Sequence, residues 1–229
     1  MHARDVLFAP CADGLAKGCR ASGSEGGASA ETGKADMAGA RPIIPADIAY
    51  TRTAIVLHWV AAVSILCGFS LGLWMVEQPI VPRTLRAYGY HKWIGITVFL
   101  LAIARLAWRS AHPPPPPVAM PEWRQRAATA THRILYALML VIPLSGWIYS
   151  SASGVAVVYL GIVPLPDLVP KDKGLAAVLK IAHITLNYTL LALVAVHAGA
   201  ALRHHLVDRD GVLLRMLPFL ARRPKGSRR

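Results

Sequence analysis

The feature that most constrains this chain is a stretch from Ala54 to Val76 in which His58 is the only acidic or basic side chain. A helix needs about 20 apolar residues to cross the hydrocarbon core of a bilayer. A soluble core helix is seldom apolar on every face for that length. Comparable stretches run at about Tyr88–Trp108, Ile134–Ser150 and Ala182–Leu206. With 55% hydrophobic and only 16% charged residues, the chain reads as an all-α membrane protein, a four-helix transmembrane bundle.

The formal net charge of +13 raises nucleic acid as a partner, but its placement argues for membrane topology instead. Arg105, Arg109, Arg124, Arg126 and Arg133 gather around the connection between the second and third spans. Arg203, Arg209, Arg215, Arg222, Arg223, Lys225, Arg228 and Arg229 follow the fourth. The other two connections mix signs, with Glu77, Arg83, Arg86 and Lys92 in one and Asp167, Lys171, Asp172, Lys173 and Lys180 in the other. This is the positive-inside pattern, and it puts both termini in the cytoplasm of an inner, or plasma, membrane. Residues 219–229 then form a basic cytoplasmic tail lying against anionic lipid.

Residues 1–45 carry small-residue text such as Ala21-Ser22-Gly23-Ser24, with no period and little to bury, and read as a disordered extension. No uninterrupted apolar segment marks a cleaved signal peptide there, and Met37 is an alternative start. Cys11, Cys19 and Cys67 have neither metal spacing nor a disulfide framework; Cys67, inside the first span, reads as a small apolar filler. Five prolines from Pro113 to Pro117 end the second helix, and Pro143 predicts a kink in the third. The segment Gly154–Pro164 is too short to span and is expected to lie over the bundle as an outer cap. The membrane domain is thus bounded at 46–218.

Of nine histidines, His58, His91, His132, His183 and His197 fall in or at the edges of spans, where an ionisable group is costly and faces the bundle interior. An interhelical hydrogen bond accounts for any one of them alone. Depth accounts for four together. His183 and His197 sit fourteen positions apart on the fourth helix, an advance of about 21 Å and a rotation to within about 40° of the same face. Counting along alternating helices, His58 matches His197 near the cytoplasmic side and His91 matches His183 near the outer side. Two histidine pairs stacked across the membrane suit two haems with one axial imidazole on each face of the iron, although spacing alone does not name the cofactor.

The residues that carry these positions are Ile55-Val56-Leu57-His58-Trp59, His91-Lys92-Trp93-Ile94-Gly95, Ala104-Arg105-Leu106 and His132-Arg133-Ile134-Leu135-Tyr136. They continue with Ile142-Pro143-Leu144-Ser145-Gly146-Trp147, His183, His197-Ala198-Gly199 through Arg203-His204-His205, and Leu213-Leu214-Arg215-Met216-Leu217-Pro218. From about Arg52 to Pro218 the chain resembles the bacterial cytochrome b561 family of four-helix di-haem membrane proteins. The resemblance implies two b-type haems as cofactors, with His58 and His197 as iron ligands of the cytoplasmic-side haem and His91 and His183 of the outer one. It also implies that Arg105 pairs with a haem propionate, against the plainer reading of a snorkelling arginine. Gly68, Gly95, Gly146 and Gly199 are expected to permit close approach of a macrocycle or a helix. His132 handles a quinone or a proton, or simply steadies Arg133; His204 and His205 are expected at the lipid headgroups, and His112 has no evident partner.

Stand-alone members of the family imply superoxide oxidation at the outer face and electron transfer inward to ubiquinone. Lys92, Arg83, Arg86 and Lys173 are placed to attract an anion there, or serve only as ordinary loop charges. The alternative is a haem-b subunit passing electrons between quinone and a dehydrogenase or hydrogenase partner, against which the short outer connections argue mildly. A homodimer stays open as well.

Overall fold

The structure, a computed structural model, describes residues 50–217. The expected extension over 1–45 with Met37, Cys11 and Cys19, and the basic tail over 219–229, lie outside the described residues. Four long helices follow one another: α1 (Arg52–Val76), α2 (Pro82–Ala111), α3 (Glu122–Ala152) and α4 (Lys173–Arg203). Each is long and apolar enough to cross a membrane. Between α3 and α4 lies a small antiparallel hairpin, β1 (Val157–Tyr159) and β2 (Val163–Leu165), with Val158 opposite Pro164. After α4 comes a π-helical turn over His204–Asp208 and a short helix, α5 (Val212–Met216).

The helix starts follow from local chemistry. Thr51 Oγ1 accepts from the Ala54 N–H at 3.3 Å, and an Asp172 carboxylate oxygen accepts from the Leu175 N–H at 3.0 Å; both satisfy donors that a first turn leaves unpaired. Pro82 opens α2 at a position where its missing N–H costs nothing. The helix ends just before the proline run, which cannot donate to its carbonyls. All four helices begin or end outside the expected apolar stretches. α2 starts at Pro82 rather than Tyr88, α3 at Glu122 rather than Ile134, and α4 at Lys173 rather than Ala182, because polar turns continue the helices beyond the hydrocarbon. α3 runs unbroken through Pro143.

Sequence neighbours pack side by side, α1 on α2, α2 on α3 and α3 on α4, whereas α1 and α4 have almost no direct backbone approach. Ala61 and Ala102, both fully buried, cluster with Val98 and Met139. Small residues here let α1 and α2 come close without voids. A second cluster joins Leu138 and Ile142 of α3 to Leu190 of α4. Many other apolar side chains face outward, among them Val63, Leu66, Ile103, Ile181 and Val196, as lipid contact requires. Cys67 is exposed as well; it looks away from the bundle and fills no gap in it.

The hairpin corrects one expectation. It lies along the flank of α2 and touches α3, instead of lying over the end of the bundle. The Trp93 indole N–H donates to the Val158 carbonyl at 2.7 Å, Lys92 Nζ to the Ala156 carbonyl at 3.3 Å, and the Thr97 and Tyr159 hydroxyls meet at 3.0 Å. Two strands alone are marginal, so these side-chain anchors hold the hairpin at the depth of His91.

Candidate functional site

Two histidine pairs bridge helices that otherwise stand apart. His58 of α1 faces His197 of α4 with ring centroids 6.2 Å apart, and His91 of α2 faces His183 of α4 at 6.2 Å. A metal held between two facing imidazoles by bonds of about 2 Å needs a centroid separation of about 6 Å. The pairs therefore have the spacing that a shared iron requires. All four rings are half-buried.

The outer pair is already oriented. His91 Nδ1 lies 3.0 Å from the Gly68 carbonyl oxygen, and His183 Nδ1 lies 3.1 Å from the Ile142 carbonyl oxygen and 3.0 Å from Ser145 Oγ. A carbonyl only accepts, so Nδ1 carries the proton in each ring and leaves the Nε2 lone pair for a ligand. Beside the two rings a cleft opens, lined by Gly68, Gly95, Ile94, Met139 and Asn187 among others.

The inner pair is arranged differently. His58 Nδ1 is buried with no protein hydrogen-bond partner, an arrangement that native proteins rarely tolerate unless something else engages the ring. Trp59 stands edge-on to His58 at 5.3 Å, and its indole N–H donates to the Met216 carbonyl at 2.9 Å. That bond fastens α5 beside the site. Arg215 in α5 donates in turn to the Pro116 carbonyl at 2.8 Å, so the proline run and the C-terminal segment close the same end of the bundle. The Arg105 guanidinium lies over the Tyr136 ring, 5.2 Å from its centroid, on the side of the inner pair. His132 comes within 5.2 Å of His197, edge to face. The inner centre thus gathers three imidazoles.

Other expected residues lie elsewhere. His204 is not free among headgroups: its Nδ1 sits 2.5 Å from an Asp210 oxygen and 3.4 Å from an Asp208 oxygen, and Asp208 also meets Arg124 at 3.4 Å. These contacts pin the turn in which Arg209 and Gly211 adopt left-handed φ values of 51° and 74° and the chain reverses into α5. His112 does have a partner, stacking on Trp108 with ring centroids 4.0 Å apart. Gly68 and Gly146 are close approaches, where a Cβ would lie 3.0 Å from Ile94 and from His183, whereas Gly95 and Gly199 have open space within 4 Å. Gly72 is a third such approach, where a Cβ would lie 3.1 Å from His91. The Gly68-x-x-x-Gly72 spacing was the available signal, since small residues four apart mark close packing in membranes.

Comparisons with known proteins show the family of the chain. A family profile described as prokaryotic cytochrome b561 matches residues 49–219. The chain is 33% identical to Cytochrome b561 homolog 2 of Escherichia coli (strain K12) over 70% of its own length and 86% of the relative's. It is 31% identical to Cytochrome b561 homolog 1 of the same organism, over 74% of its length and 97% of the relative's. It is 27% identical to the Probable superoxide oxidase CybB of Yersinia pestis, over 74% of its length and 96% of the relative's.

Proposed function

The chain belongs to the prokaryotic cytochrome b561 family of membrane haem proteins that transfer electrons, and from that premise we propose that it is a di-haem wire carrying electrons from superoxide at the periplasmic face to ubiquinone. The observation that carries this reading is the pair of 6.2 Å histidine separations, one toward each end of the bundle. His58 and His197 would hold the cytoplasmic-side haem b and His91 and His183 the outer one. Held between two imidazoles, haem would supply one-electron transfer rather than oxygen binding. Arg105 would offer its guanidinium to a propionate of the inner haem, a match of fork to carboxylate.

The protein's own part is to position and to attract. Carbonyls on α1 and α3 fix the tautomers of the outer ligands, and the hairpin walls the flank of α2 beside them. Lys92, Arg83, Arg86 and Lys173 give the outer mouth a positive field that draws in an anion. Arginines between α2 and α3 and after α4 keep that end in the cytoplasm. The reaction balances as two superoxide ions, two protons and one ubiquinone giving two dioxygen molecules and one ubiquinol. The relative named a probable superoxide oxidase supports this choice of donor.

The test is to expose the purified, oxidised protein to a superoxide source and follow the b-type α-band. Prompt reduction, reversed by a soluble ubiquinone, is expected. No reduction by superoxide, with normal reduction by a co-purifying dehydrogenase, would overturn this choice of donor in favour of a subunit serving a partner enzyme.

A further inference from the structure

Each outer histidine is gripped twice by the helix that precedes its own, and in the same way. On α1, the Gly68 carbonyl receives the His91 Nδ1–H at 3.0 Å, and a Cβ added at Gly72, one turn on, would lie 3.1 Å from His91 Cε1 and 3.5 Å from its Nδ1. On α3, the Ile142 carbonyl receives the His183 Nδ1–H at 3.1 Å, and a Cβ at Gly146, again one turn on, would lie 3.0 Å from His183 Cε1 and 3.3 Å from its Nδ1. Carbonyl and glycine are four positions apart in both helices, so one helix face offers an acceptor and then a bare backbone patch. The bundle is two like helical hairpins, α1–α2 and α3–α4, each seating the histidine of its returning helix on its outgoing one.

From this repeat we propose that Gly72 and Gly146 are positioning residues that set the orientation of the outer axial imidazoles; the proposal rests on the bis-histidine reading above. Cε1 lies between the two ring nitrogens. A methyl pressed against it turns the ring about its hydrogen-bonded Nδ1 and swings Nε2, the atom left for iron. Packed interiors answer such crowding by moving the neighbour a few tenths of an ångström, and a metal ligand is sensitive to shifts of that size. The inner centre lacks the device among the described residues: His58 Nδ1 has no protein partner, and Gly199, two residues beyond His197, has nothing within 4 Å. The glycines therefore act on one haem only.

The experiment uses the full-length, haem-loaded protein in detergent, with low-temperature EPR, redox titration and haem content measured on Gly72→Ala, Gly146→Ala and Ser145→Ala. Ser145 touches the same His183 Nδ1 at 3.0 Å, and its replacement adds no atoms. Gly89→Ala, at a helix position with nothing within 4 Å, is the control. Each of the three variants is expected to shift the EPR signal and potential of the haem that His91→Ala removes, leaving the other haem and the control as in the wild type. Should Gly146→Ala fail to assemble, Gly72→Ala must still move that centre, and an unmoved signal there overturns the proposal. Two haems with wild-type spectra in all three variants overturn it too, while leaving the di-haem reading intact. A wild type with one haem, or a His91→Ala protein retaining both, removes the reading beneath it instead.

Discussion

His197 lies between two other imidazoles, facing His58 across 6.2 Å and meeting His132 edge-on at 5.2 Å. The same helix sends His183 toward His91 at 6.2 Å, so α4 contributes to both centres while α1 and α2 contribute to one each. Substitutions should therefore sort into two classes. His58→Ala and His197→Ala are expected to remove one haem, and His91→Ala and His183→Ala the other. EPR of the remaining centre checks this, and loss of the same centre in His58→Ala and His91→Ala would break the pairing.

The two centres should differ in reduction potential, with the outer one lower. Both outer histidines donate Nδ1–H to carbonyl oxygens, which makes them stronger electron donors to iron and favours the oxidised form. The inner end instead carries the Arg105 guanidinium, held over Tyr136, whose positive charge favours the reduced form. A redox titration is expected to show two waves, the lower one vanishing in His91→Ala. That order makes inward transfer downhill; the reverse order would contradict it.

Arg105 separates a propionate partner from a snorkelling charge. Arg105→Leu is expected to lower the potential and the occupancy of the inner haem, and Arg105→Lys to recover the charge without the two-pronged contact, falling between the two. An inner centre indifferent to both substitutions would assign Arg105 to membrane topology alone.

Packing between α1 and α2 depends on small side chains at the closest approach. Ala61 and Ala102 are both fully buried, so Ala61→Leu or Ala102→Leu is expected to cost about 1–3 kcal/mol by overpacking. Val63→Leu, on a side chain 58% exposed, should be neutral. Thermal unfolding of the detergent-solubilised protein checks the contrast.

Much of this arrangement could be read from residues. The depth pairing of His58 with His197 and His91 with His183 needs only the helix rise and alternating direction, and the structure brings the same rings together. Helix ends were less legible, because Glu122, Lys173 and their neighbours are polar residues that prolong a helix without adding to an apolar run. The hairpin was hidden in Val155–Val163, an apolar string whose strand pairing depends on the distant anchors Lys92, Trp93 and Thr97. The seat of His91 on Gly72 was only half legible: the Gly68-x-x-x-Gly72 spacing marks close packing, not the side chain packed there. A glycine in a span is common, and only the antiparallel register of α1 and α2 shows which side chain it faces.

The measurement that tests the central claim most directly is the amount of haem b per polypeptide in the purified, full-length protein, taken from the pyridine haemochrome and the protein mass. Two haems per chain are predicted, falling to one in His183→Ala. One haem in the wild type would contradict one of the histidine pairs, and none would contradict the account as a whole.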